Sequence, residues 1–105
     1  MKKRECYVKQ YCLNRTIKAA VVMGYRVYIK NDHAKIDSVV YKNDTFNIWH
    51  VVECSTGLSY GSGKTKKAAV ENAIKNIPLV LKTLNSDHGT ELKKEWCYLL
   101  ENVKK

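Results

Sequence analysis

Alternating apolar and polar residues predict a set of strands in the middle of the chain. The clearest alternation covers residues 25–30, and residues 36–41 repeat it more weakly. Residues 46–54 carry it furthest and place large apolar side chains on both alternating faces, which predicts a central strand. A turn at 55–57 leads into a short strand at 58–61, so the last two strands are expected to form an antiparallel hairpin.

Helical spacing dominates the C-terminal half. Apolar residues recur at this spacing after Thr65, whose hydroxyl suits the cap position of a helix. Pro78 disrupts a helix interior, so this helix is predicted to end or kink near Ile77. A loop is expected over residues 85–89, followed by a last helix that Thr90 caps.

The last helix carries an apolar stripe that could pack on its own domain or seat a second copy of the chain. We expect packing on the domain, which leaves a homodimer as the alternative. The stripe consists of Leu92, Trp96, Leu99, Leu100 and Val103.

The N-terminal pattern is ambiguous. Residues 5–13 fit either a helix or a strand. Residues 15–23 are predicted as a helix, with Asn14 as its cap and Gly24 as its end, although neighbouring valines also suit a strand. We therefore predict an α+β fold, a three- or four-stranded antiparallel sheet with helices packed on one face. The 105 residues suffice for a single domain (1–105) with one modest core.

Residues 57–77 join a short strand, a glycine-rich bend and a helix that opens with lysines. Lys64, Lys66 and Lys67 crowd the helix start, where the helix dipole is already positive, so the chain either tolerates a small penalty in water or presents these lysines to an anion. Gly63-Lys64-Thr65 superficially fits a phosphate-binding P-loop. That loop requires a glycine where this chain has Leu58, so we treat the match as chance.

The same stretch resembles the last strand and helix of the double-stranded-RNA-binding domain. The positions that match that pattern are Gly61, Gly63, Thr65, Lys66, Lys67, Ala69 and Ala73. This resemblance implies that the paired lysines reach phosphates across a groove. In style the stretch is also similar to small proteins of phages and prophages. Some of these are anti-CRISPR or other anti-defence inhibitors, which implies a bacterial defence ribonucleoprotein or nuclease as partner.

Charge supports an acidic partner. Lysine and arginine number 19 against 10 acidic residues, which gives a formal net charge of +9. The predicted nucleic-acid or partner surface combines basic residues with two tyrosines for stacking. Its members are Arg26, Tyr28, Lys30, Tyr60, Ser62, Lys64, Thr65, Lys66 and Lys67. Trp49 would become a protein-interface anchor if it lay on an open face, and a core residue otherwise.

Catalytic and metal-binding patterns are weak. The four cysteines contain no Cys-x-x-Cys pair, and the three histidines do not complete a zinc pattern, so we expect no metal and no cofactor. His50 could act as a general base, but no nucleophilic motif surrounds it. We expect no enzyme activity.

Three hypotheses follow. The first is a small, non-catalytic, phage-type inhibitor of a nucleic-acid-handling defence complex, which binds its protein or guide RNA. The second is a direct double-stranded RNA- or DNA-binding module, and the third is a small nuclease or toxin that uses His50. The sequence contains no apolar run of membrane-spanning length and no evident signal peptide, so we expect a cytoplasmic protein with no membrane partner. The resemblance to phage proteins implies that the cytoplasm is that of a bacterial host.

Overall fold

The computed structural model describes residues 3–11 and 14–104, which form five strands followed by three helices. The strands are β1 (Arg4–Tyr11), β2 (Ile17–Lys30), β3 (Lys35–Asn43), β4 (Ile48–Glu53) and β5 (Ser59–Gly63). The helices are α1 (Lys66–Lys75), α2 (Ile77–Leu84) and α3 (Asp87–Lys104). Each strand pairs antiparallel with its chain neighbour in one sheet of order β1-β2-β3-β4-β5. The α+β class is confirmed, whereas the predicted three or four strands are too few.

The sheet has more strands than predicted because the N-terminal region forms strands. The prediction of a helix over 15–23 is wrong. Asn14 shapes a turn instead of capping a helix, because its side-chain oxygen accepts bonds from the backbone N–H and the hydroxyl of Thr16, at 3.2 and 2.6 Å. Arg15 has a positive φ of 65° in the same turn. β2 then begins at Ile17 and pairs with β1.

Gly24 lies inside β2, not at the end of a helix. The residues before it pair with β1 and those after it pair with β3, and Gly24 itself faces both Arg4 and Tyr41. A Cβ atom at this position would lie 2.8 Å from the carbonyl oxygen of Val40. Glycine therefore permits the close approach at the point where β2 changes partners.

Both faces of the sheet carry an apolar core. On one face, α1 and α2 pack against the sheet in a cluster of Ile29, Ile36, Val40, Val51, Tyr60, Ala69, Ala73, Ile77 and Val80. On the other face, β1 contributes to a cluster of Cys6, Val8, Val39 and Val52. Successive strand residues point to opposite faces, so β3 and β4 serve both cores. This confirms the predicted central position of the strand within 46–54, although Phe46 lies in the preceding turn and is exposed.

The helices begin and end largely as predicted. Thr65 caps α1, because its hydroxyl accepts the N–H of Ala68 at 3.0 Å. Asn76 separates α1 from α2, and Pro78 lies in the first turn of α2, where its missing N–H costs no helical bond. The prediction of Thr90 as a cap is wrong, because α3 already begins at Asp87.

α3 packs on its own domain, as the apolar stripe predicted. Trp96 is 3% exposed, and its indole N–H donates to the carbonyl oxygen of Cys54 at 3.0 Å. Glu95 reaches β1 through an ion pair with Lys9 at 2.9 Å. Thus α1 and α2 pack on one face of the sheet. α3 contacts α2 and, in addition, the β1–β2 hairpin. No helix within residues 3–11 and 14–104 is long and apolar enough to cross a membrane.

Candidate nucleic-acid interface

Two glycines of β5 bring the start of α1 against the sheet. A Cβ atom at Gly61 would lie 2.6 Å from the carbonyl oxygen of Ala69, and one at Gly63 would lie 2.8 Å from the Cβ of Ala68. Neither glycine has a positive φ; Gly57, in the β4–β5 turn, does, at 73°. Gly61 and Gly63 are needed because a side chain would push the helix away.

The exposed lysines at the start of α1 are not neutralised by an ion pair with a described residue, although Glu71 lies one helical turn after Lys67. Lys64 and Lys67 are exposed, and neither forms an ion pair with any residue that the structure describes. The first turn of α1 contains no Asp or Glu. Lys66 is partly buried, and its ammonium lies 3.9 Å from the centre of the Tyr25 ring. The lysine charges add to the positive end of the helix dipole, so this region attracts anions.

Lys42 joins this group, although it was not among the residues predicted for the surface. In the sheet register, Lys42 lies opposite Trp49, and Trp49 lies opposite Gly63. Because neighbouring strands are separated by about 4.8 Å, the backbone of Lys42 lies roughly 10 Å from that of Gly63. Only the register between the strands could have revealed this, since Lys42 is remote in sequence. We refer to Lys42, Lys64, Lys66 and Lys67 as the basic patch.

Thr65 and Ser62, the two hydroxyl residues beside the patch, differ in their hydrogen bonds. The hydroxyl of Thr65 is occupied as the α1 cap. Ser62 is exposed, and its backbone carbonyl accepts a bond from the side chain of Asn72 at 2.7 Å. Asn76 makes a similar 2.7 Å bond to the carbonyl of Tyr60. α1 thus covers part of the outer edge of β5, which limits strand pairing there.

Tyr60, predicted for the surface, and Trp49, predicted as an anchor or a core residue, both contribute to the core. Tyr60 is 6% exposed, and its hydroxyl bonds to that of Ser38, so the prediction that Tyr60 stacks on a base is wrong. Trp49 packs against the core beneath the helices. Trp49 is therefore a core residue, which was the alternative to an anchor on an open face.

The predicted surface is also divided between the two faces of the sheet. Tyr25, which contacts Lys66, faces the helices opposite Val40. Arg26 is the next residue along β2, so Arg26, Tyr28 and Lys30 point to the other face. The structure therefore does not bring these three side chains together with the lysines of α1.

His50 and Cys54 each lie in a partly buried setting that shifts the pKa of the group. The ring of His50 stacks on Tyr41 with centres 5.5 Å apart, and burial lowers the pKa of His50. Burial, assisted by the Asp37 carboxylate, raises the pKa of the Cys54 thiol to about 12. Cys6, Cys54 and Cys97 are free thiols, whereas Cys12 lies outside the described residues. Within the described part of the chain, no three His, Cys, Asp or Glu residues are arranged to hold a metal ion.

No protein family model matches this chain, and no curated protein or solved structure is significantly similar to it.

Proposed function

We propose that this protein is a non-catalytic RNA-binding protein that holds the phosphate backbone of a duplex on its basic patch. The observation that supports this most strongly is the position of Lys64 and Lys67 at the start of α1, with Lys42 two strands away in the register and none of the three in an ion pair with a described residue. Lysine clusters of this kind bind the phosphates of nucleic acids. In an RNA duplex, proteins contact phosphates across the shallow groove.

The patch is suited to contacts with the phosphate backbone of a nucleic acid rather than with its bases. Its exposed side chains are lysines, which attract phosphates without distinguishing bases. Lys66 is held in place by its contact with Tyr25, so the start of the helix is fixed relative to the sheet. The resemblance of residues 57–77 to the double-stranded-RNA-binding domain assigns the same role to Lys66 and Lys67. We therefore expect binding that depends on duplex shape and salt rather than on sequence.

The test measures the affinity for labelled RNA duplexes of about 16 base pairs, the length that a double-stranded-RNA-binding domain spans. Lys64→Ala with Lys67→Ala should weaken binding equally across sequences and make the slope of log affinity against log salt shallower by about 1–2. The matched control replaces Lys82 and Lys93, exposed lysines of α2 and α3, with alanine. Equal losses in the two double variants would contradict a defined patch.

A second candidate function is the inhibition of a bacterial defence ribonucleoprotein or nuclease in the host cytoplasm. It is favoured by an exposed apolar surface on the β1–β2 hairpin. Tyr7 and Val21 are directly opposite each other there, and Tyr11 and Met23 lie on the same face. Exposed aromatic and aliphatic groups of this kind are typical of protein-binding surfaces.

A pull-down of purified RNA-guided nucleases, with and without ribonuclease treatment, separates the two functions. Capture that survives the treatment, with inhibition of target cleavage that is lost in Val21→Glu, supports the inhibitor. The control is Leu79→Glu, which changes an apolar residue on α2 that is at least as accessible as Val21. Capture that disappears with the RNA, together with unchanged target cleavage, supports the duplex-binding function alone.

A further inference from the structure

Tyr28 lies on the sheet face opposite α1, in a setting unlike that of the basic patch. Its side chain is 57% exposed. It shares its face with Arg26 and Lys30 on β2 and lies opposite Asp37 on β3. The ammonium of Lys35 lies 4.4 Å from the centre of the Tyr28 ring. An aromatic ring is therefore presented to solvent among basic side chains.

The charges around this ring are unbalanced. Arg26 is neutralised, because its guanidinium makes two bonds to the Asp37 carboxylate, at 2.6 and 3.1 Å. Lys30 and Lys35 are exposed, and neither is ion-paired with a residue in the described ranges. They are also directly opposite each other in the register. Like charges in that position destabilise a hairpin.

We propose that Tyr28, Lys30 and Lys35 form a second contact surface that binds single-stranded nucleic acid. One base stacks on the Tyr28 ring, and its flanking phosphates lie between the two lysines. Exposed aromatic rings with adjacent cations are the usual means of holding single strands, since every base has a face that can stack. An anion between Lys30 and Lys35 also relieves their repulsion, which explains a pairing that costs stability in the free protein.

Binding would exchange one ring contact for another. In the free protein the Lys35 ammonium covers the Tyr28 ring. A stacked base would displace it, and the released ammonium would remain next to the phosphate attached to that base. The surface is separate from the basic patch, because the two lie on opposite faces of the sheet. Binding here therefore does not require the duplex-binding function.

The test uses a labelled oligouridine of about 12 nucleotides, a length within the range that single-strand-binding domains cover. Tyr28→Ala should weaken binding about tenfold, whereas Tyr28→Phe, which retains the ring, should bind as the original protein does. Tyr98→Ala removes an equally exposed tyrosine from α3 and should have no effect. The Lys64→Ala, Lys67→Ala variant should retain this binding while its duplex binding is weakened.

Lys30→Glu separates function from folding. It should abolish oligouridine binding yet raise the urea midpoint, because the substitution turns the repulsion across the hairpin from Lys35 into an attraction. No oligouridine binding at low salt, unchanged affinity in Tyr28→Ala, or an equal loss in Tyr98→Ala would overturn the proposal. So would single-strand binding that depends on Lys64 and Lys67, since it would then take place on the basic patch.

Discussion

The hydroxyl of Tyr60 bonds to the hydroxyl of Ser38 inside the core between the sheet and the helices. Ser38 is fully buried and donates its own proton to the carbonyl oxygen of Ile36, at 3.2 Å. Tyr60 is therefore the donor to Ser38. This link joins β3 to β5 across β4. It fixes the position of β5, the strand that ends directly before Lys64 of the basic patch.

Tyr60→Phe should lower the free energy of unfolding by about 1–2 kcal/mol, since Ser38 loses a buried partner while the ring is retained. Urea unfolding at neutral pH measures this change. Ser62→Ala, which alters an exposed hydroxyl of the same strand, serves as the control and should have little effect. Equal stability of Tyr60→Phe and the original protein would contradict the structural role.

The same tyrosine should make the fold sensitive to alkali. Burial raises the pKa of Tyr60 to about 12, above the value of about 10 in the unfolded chain. Its contribution is therefore complete below about pH 10 and is lost as the pH rises toward 12, with a loss on the order of 1 kcal/mol at pH 11. Urea unfolding across this range should show a steeper decline in the original protein than in Tyr60→Phe. Parallel declines would show that Tyr60 ionises as freely as an exposed tyrosine.

Gly61→Ala should destabilise the protein by about 1–3 kcal/mol, because the new methyl group would clash with the backbone of Ala69 on α1. The same change should weaken duplex binding, since it shifts the helix that carries Lys67. The measurement combines urea unfolding with the duplex affinity. A variant of unchanged stability would show that α1 does not pack closely on β5.

The two threonines that the sequence marks as helix caps should respond differently. Thr65→Ala should cost about 1 kcal/mol, because it removes the side-chain acceptor for the N–H of Ala68. Thr90→Ala should cost much less, because Thr90 lies within α3. Thermal and urea unfolding of both variants provide the comparison, and an equal cost would contradict the observed start of α3.

Cysteine labelling should follow burial. Cys97 is exposed on α3, whereas burial raises the pKa of both Cys6 and Cys54, that of Cys54 to about 12. In the native protein near neutral pH, a thiol reagent should therefore modify Cys97 much faster than either of the others. Peptide mass spectrometry identifies the modified residue, and labelling in urea provides the control in which the difference disappears. Rapid native labelling of Cys54 would contradict its buried environment.

Local patterns in the sequence determined much of the fold from residue 25 onward. The strands within 25–30, 36–41 and 46–54 could be predicted because alternation reflects which side chains face a core. The start of α1 could be predicted because a cap depends on the hydroxyl of Thr65 and an amide three residues away. The basic character of the α1 start was likewise evident, since its lysines are adjacent in the chain.

Only the tertiary structure decided the remaining features, because they depend on residues that are distant in sequence. Residues 17–23 contain both helical spacing and β-branched side chains, and pairing with β1 makes them a strand. The register across β3, β4 and β5 places Lys42 beside the start of α1. The order of the strands and the packing of α1 and α2 on one face buried Tyr60 and left Tyr28 exposed on the other. A pattern of alternation shows that two faces exist, but only the packed helices determine which face is covered.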